Sequence, residues 1–81
     1  MADLVSWKVI EDGWTVVDDH GEDVGTVHEV RGDEQADIFS GLVIHSGLLS
    51  KKDVPSELVG EIVEGRVRLR ISKDELDALA P

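Results

Sequence analysis

Three groups of residues carry side chains capable of chemistry. Asp18, Asp19, His20, Glu22 and Asp23 crowd one short stretch, and clustered carboxylates can hold a hard cation through their oxygens. The spacing fits no calcium loop, because Gly21 follows only three residues after Asp18. The stretch is predicted to be a solvated hairpin tip. His28 and His45 fall on or beside predicted strands and read as structural or exposed histidines. Zinc ligation is disfavoured, since the chain has no cysteine to complete a site. Ser46 stands next to His45, but neighbours on a strand point to opposite faces and cannot form a nucleophile–base pair. Gly41, Gly47 and Gly60 are isolated, so no glycine-rich phosphate loop exists. Arg66, Arg68 and Arg70 occupy every second position of one segment. They form a candidate partner-binding stripe for an acidic surface. The reading preferred from sequence is that they pair with carboxylates on neighbouring strands. The residues therefore predict no catalytic, cofactor or metal site, and no enzyme.

These groups must be positioned by short strands. Gly13-Trp14 punctuates an apolar lead-in around Trp7, Val9 and Ile10. Thr15 to Val17 reads as a strand and Asp18-Asp19-His20-Gly21 as its turn. Val24 to Val30 is the return strand, with a bulge at Gly25. Arg31 to Asp37 reads as a polar loop. Ile38-Phe39 and Leu42-Val43-Ile44 read as a buried strand ended by His45-Ser46-Gly47, and Ser50 to Val54 as another. Pro55 to Val59 predicts one helical turn, with the proline presetting its entry. Glu61 to Val63 is short and β-like. Arg66 to Ile71 alternates strictly, so Val67, Leu69 and Ile71 point inward and the arginines outward. Ser72 and Glu75 form a capping box for a short C-terminal helix whose apolar stripe is Leu76 and Leu79. The predicted core is Val24, Val27, Leu42, Ile44, Val67, Leu69 and Ile71. Trp7 and Trp14 read as packing residues rather than ligand-stacking ones.

In this order the pieces resemble a PRC-barrel domain. The resemblance rests on Gly13-Trp14-Thr15-Val16-Val17-Asp18, Gly21-Glu22-Asp23-Val24-Gly25-Thr26-Val27 and Phe39-Ser40-Gly41-Leu42-Val43-Ile44. Val54-Pro55-Ser56-Glu57-Leu58-Val59 and Val67-Arg68-Leu69-Arg70-Ile71-Ser72-Lys73-Asp74-Glu75-Leu76 complete it, so nearly the whole chain is covered. It implies an all-β fold: a small SH3-like β-barrel of five to six strands with one short C-terminal helix, as one domain over residues 1–81. Such modules occur in the H subunit of photosynthetic reaction centres, at the end of a ribosome-maturation factor, and as small free-standing proteins. Their shared theme is protein or ribosome contact, and they bring no catalytic motif to carry over. This chain is similar to the free-standing kind.

Composition narrows the partners. The net charge is −10, which repels phosphate backbones and disfavours nucleic acid. Only Trp7, Trp14 and Phe39 are aromatic, too few for a base-stacking platform. Residues 1–37 hold two basic and eleven acidic side chains, a net of −9, against six and seven, a net of −1, in residues 38–81. Residues 1–6 show no basic-then-apolar leader, and no apolar run approaches the ~20 residues of a membrane span. A cytoplasmic location is expected. The function expected is a non-catalytic protein–protein interaction module that forms a homodimer and meets a further protein partner. The alternative is a ribosome- or RNA-associated accessory factor. Apolar residues around Leu48-Leu49 or Leu58-Val59 are expected to form the dimer patch, with the arginine row meeting Glu57 or Glu61 of the second copy.

Overall fold

The computed structural model describes residues 4–47 and 50–79. Its strands are β1 (Thr15–Val17), β2 (Asp23–Asp33), β3 (Ile38–Ser46), β4 (Ser50–Pro55), β5 (Val59–Val63) and β6 (Arg66–Leu69). One α-helix follows, α1 (Lys73–Asp77), and 3₁₀ turns occur at Trp7–Val9 and Ser56–Leu58. The six strands form one sheet in the order β4-β3-β2-β1-β6-β5. Only the β1–β6 pair is parallel.

Chain length forces this sheet to curl. Its two outer strands are consecutive in sequence, and four residue steps separate Pro55 from Val59. Four steps span at most ~14 Å, whereas the outer strands of a flat six-stranded sheet would lie ~24 Å apart. The sheet bends into a half-barrel that brings its edges together where the Ser56–Leu58 turn joins them. Register shifts supply the bend: they fall between Val16 and Val17, Val27 and Glu29, Arg31 and Gly32, and Val59 and Ile62. Two glycines are needed for strands to approach so closely. A Cβ on Gly25 would collide with the His45 carbonyl oxygen, and one on Gly41 with the Val54 carbonyl oxygen. Both hold φ near the glycine-only extreme, +155° and +153°.

The concave face holds the core. All seven predicted core residues are buried there, joined by Ile10, Val16, Val54, Val59 and Leu76. Helix α1 closes one end. Its five residues are too few to be stable alone; Leu76, fully buried, ties it down. Ser72 Oγ accepts from the Glu75 N–H and Glu75 Oε1 accepts from the Ser72 N–H, both at 3.2 Å. Lys52 Nζ donates to the carbonyl oxygens of Asp77 (3.1 Å) and Leu79 (2.9 Å), where the helix dipole favours a cation.

Three expectations need correction. The polar loop predicted over 31–37 is mostly strand, because β2 continues to Asp33 and only 34–37 turn. Beyond the core this hairpin is a two-stranded ribbon whose residues 31–33 are all exposed, so hydrogen bonding sustains it without apolar alternation. On the same ribbon Ile38 is 56% exposed rather than buried, and Phe39 is half-buried under Trp7. Finally, β6 ends at Leu69, although Ile71 is still buried.

Candidate functional site

The acidic turn is ordered around one carboxylate. Asp18 is buried, not solvated, and its Oδ1 accepts from the backbone N–H groups of His20 (2.8 Å) and Glu22 (2.9 Å). The Glu22 N–H above all holds its carboxyl below the usual carboxylate range; burial opposes this, and the His20 N–H and charge assist. Asp18 is thus the organiser of the β1–β2 turn, which Gly21 completes with φ +83°. Asp23 Oδ1 is likewise committed, to the Gly25 N–H at 3.1 Å. Among the described residues no three His, Asp or Glu side chains are grouped so as to hold a metal ion.

His28 and His45 meet, which sequence spacing did not reveal. His45 Nε2 lies 3.0 Å from His28 Nδ1, with ring centroids 4.5 Å apart and planes at 71°. His45 stands opposite Thr26, and the register shift after Val27 brings His28 within reach. One nitrogen must donate and the other accept, so the bond exists only while at least one imidazole is neutral. The contact joins β2 to β3 as a cross-strand clasp. Ser46 is buried while His45 is half-buried, so the two side chains diverge as strand geometry requires.

Arg66, Arg68 and Arg70 are all exposed along β6 and beyond its end. Among the described residues none has a carboxylate within 4.0 Å, so the preferred reading, cross-strand pairing, is not what the fold provides. Parallel pairing sets Arg66 beside Thr15 and Arg68 beside Val17, neither of which offers a charge. Arg68 Nη2 instead lies 3.1 Å from where a Gly21 Cβ would be, so its side chain reaches toward the β1–β2 turn. The arginine that is paired is Arg31, whose Nε lies 3.3 Å from Glu29 Oε2 and 3.7 Å from Asp53 Oδ1. Glu29 and Asp53 flank Val43 on either side, so Arg31 links the two strands that border β3.

Of the two apolar segments expected at the surface, Leu58-Val59 is turned inward. Val59 is buried in the core and Leu58 packs against it, because the Ser56–Leu58 turn carries them inward to close the sheet. Leu48 and Leu49 lie outside the described residues. The large apolar side chains that are exposed are Leu4 (66%), Val9 (50%) and Ile38 (56%). All three belong to the N-terminal segment or the hairpin it leans on. There Trp7 stacks on Phe39, with centroids 5.2 Å apart and planes at 16°, over the bare backbone of Gly32. Lys8 Nζ holds the hairpin tip through Asp37 at 3.4 Å. Beside this segment opens a cleft of about 340 Å³ lined by Val5, Val9, Glu11, Trp14 and Glu64. Its floor is apolar and its acidic side chains carry no opposing charge among the described residues. A small apolar side chain fits it; converging donors for a reaction are not there.

Among the described residues no helix is long and apolar enough to cross a membrane. No family model matches this chain, and no curated protein is similar to it.

Proposed function

We propose that this chain is a non-catalytic interaction module that pairs with a second copy and offers its N-terminal face to another protein. One observation carries the reading: among the described residues the exposed large apolar side chains, Leu4, Val9 and Ile38, belong to the N-terminal segment and the hairpin it leans on, and Val9 lines an apolar cleft between Glu11 and Glu64. Such a patch on so small a domain suits contact with protein rather than chemistry on a substrate. The reading also follows the resemblance to a free-standing PRC-barrel domain, whose members share this theme. The test is capture from the source cells by the native chain and by the Leu4→Ser/Val9→Ser variant. A partner retained by the first and lost by the second supports the reading; equal retention refutes it. Self-association is read from light scattering at micromolar protein and two salt concentrations. A dimer mass at both is expected, because salt screens the mutual repulsion of two −10 chains along with any local pairs. A monomer mass at both refutes it.

A second reading has the unpaired Arg66, Arg68 and Arg70 in its favour, namely association with ribosomal RNA. It must overcome the net charge of −10. Binding of a structured RNA that survives 0.15 M salt and is lost when the three arginines become glutamine would favour it over the first.

A further inference from the structure

The sheet's two edges are treated differently. The outer side of β5 is occupied: Leu4 bridges Val63, and the Val5 N–H donates to the Ile62 carbonyl at 2.9 Å. β4 has β3 on one side, and among the described residues no backbone hydrogen bond outside that ladder engages Ser50–Pro55. A row of outward N–H and C=O groups is left for another strand.

The composition of this edge says which strand. It carries Lys51, Lys52 and Asp53, a net of +1 in a chain of −10, so a second copy meets the least repulsion here. Lys51 and Asp53 are two residues apart on the same outer face, and both are exposed. An antiparallel pairing of β4 with its own copy, two-fold about Lys52, sets Lys51 opposite the copy's Asp53, and does so twice. Sliding the centre to residue 51 or 53 sets Lys51 against Lys51 or Asp53 against Asp53, so charge selects one register. In that register Ser50 to Val54 pairs with itself, and Pro55, lacking an N–H, stops the ladder where it ends. Lys52 at the centre faces inward, and its ammonium is already held by the Asp77 and Leu79 carbonyls. The two Lys52 charges are thus drawn toward their own helices instead of toward each other.

We propose that two chains join through β4 in this register, making one continuous sheet of both copies. The proposal rests on the self-association put forward above and names its surface. It leaves the acidic cleft and the Leu4–Val9 face free for a different partner.

The experiment is a charge swap followed by sedimentation equilibrium at micromolar protein, with circular dichroism to show that each variant is folded. Lys51→Glu alone and Asp53→Lys alone should each weaken the dimer at least tenfold, because each faces like charges twice. The double variant Lys51→Glu/Asp53→Lys restores the opposition and should return dimerisation to near the native value. It also has the native net charge, which removes a general electrostatic explanation. If the native chain is a dimer and the single variants dimerise equally well, or the double fails to recover, the β4 register is wrong while self-association stands. If the native chain is a monomer, both fall. Since Asp53→Lys also removes a partner of Arg31, amide exchange of the native chain gives an independent reading. Protection confined to the β4 amides and rising with protein concentration supports the pairing; concentration-independent exchange there overturns it.

Discussion

Gly41→Ala is the sharpest probe of how this fold holds its open edge. A Cβ at this position collides with the Val54 carbonyl oxygen and lies 3.1 Å from Pro55 Cα. Both atoms are backbone of the paired strand, so no rotamer change gives relief; β3 and β4 must separate. The residue also holds φ at +153°, and forcing a non-glycine into such a region takes about 1–3 kcal/mol. Opening the ladder beside it forfeits one or two hydrogen bonds at about 1 kcal/mol each. The sum, about 2–5 kcal/mol, is a large part of the ~4–12 kcal/mol expected for a domain this size. At roughly 4–8 °C per kcal/mol, the melting temperature should fall by at least about 8 °C. Gly65→Ala is the control. Gly65 also has positive φ, +83°, but nothing lies within 4 Å of its Cβ direction. It should lose only the left-handed strain of about 1–2 kcal/mol. Thermal melts of the two variants decide the matter. If Gly41→Ala melts at or above Gly65→Ala, close approach of β4 does not explain the glycine, and the β3–β4 register is misjudged. If the proposed edge pairing is right, Gly41→Ala should also weaken the dimer, and Gly65→Ala should not.

Two further outcomes are expected. Leu69→Ala, at a core residue 1% exposed, should destabilise by about 2–5 kcal/mol; a melt within a degree or two of native would place Leu69 outside the core. Asp18 should govern acid stability. Its folded pKa is lowered by the turn amides, so its contribution is complete above the ordinary carboxylate pKa of about 3.9 and is lost as pH falls below that. Asp18→Asn keeps an acceptor for those amides but cannot titrate, so its stability should decline less steeply than native between pH 4 and pH 2. Parallel decline of the two chains would show that Asp18 does not carry the effect.

The legible parts of the sequence were those fixed by local rules. Alternation over 66–71 placed Val67, Leu69 and Ile71 in the core, and Ser72 with Glu75 announced the helix cap. What escaped was set by tertiary geometry. Leu58-Val59 looked like a surface patch because both residues follow a proline turn. They are inside because that turn must join the two edges of a curled sheet. Asp18 looked like one more tip carboxylate, and only the path of the turn aims two N–H groups at it. The His28–His45 clasp depends on a register shift that no residue between them signals. The arginines were rightly set on the outer face, but Arg66 and Arg68 stand beside Thr15 and Val17 on one side and Arg66 beside Val63 on the other. A parallel β1–β6 contact cannot be read from two segments so far apart in sequence.

The treatment of the β5 edge also explains the apolar face. Residues 4 and 5 cover that edge with backbone, and a strand covering an edge satisfies main-chain groups whatever its side chains do. Leu4 pairs with Val63 yet is 66% exposed, because no further layer lies above it. Val9 emerges in the same way: its 3₁₀ turn is anchored by Trp7 on Phe39 and by Ile10 in the core, and Val9 occupies the remaining direction. Satisfying one edge has therefore left apolar side chains in water beside Glu11 and Glu64. The other edge remains open, with Lys51 and Asp53 spaced to complement their own copy. A domain needing only solubility would blunt both edges with like charges or short strands. This one covers its β5 edge and leaves its β4 edge open, so its two unsatisfied surfaces differ in kind, one apolar beside acidic walls and one of unpaired backbone, and suit two different partners.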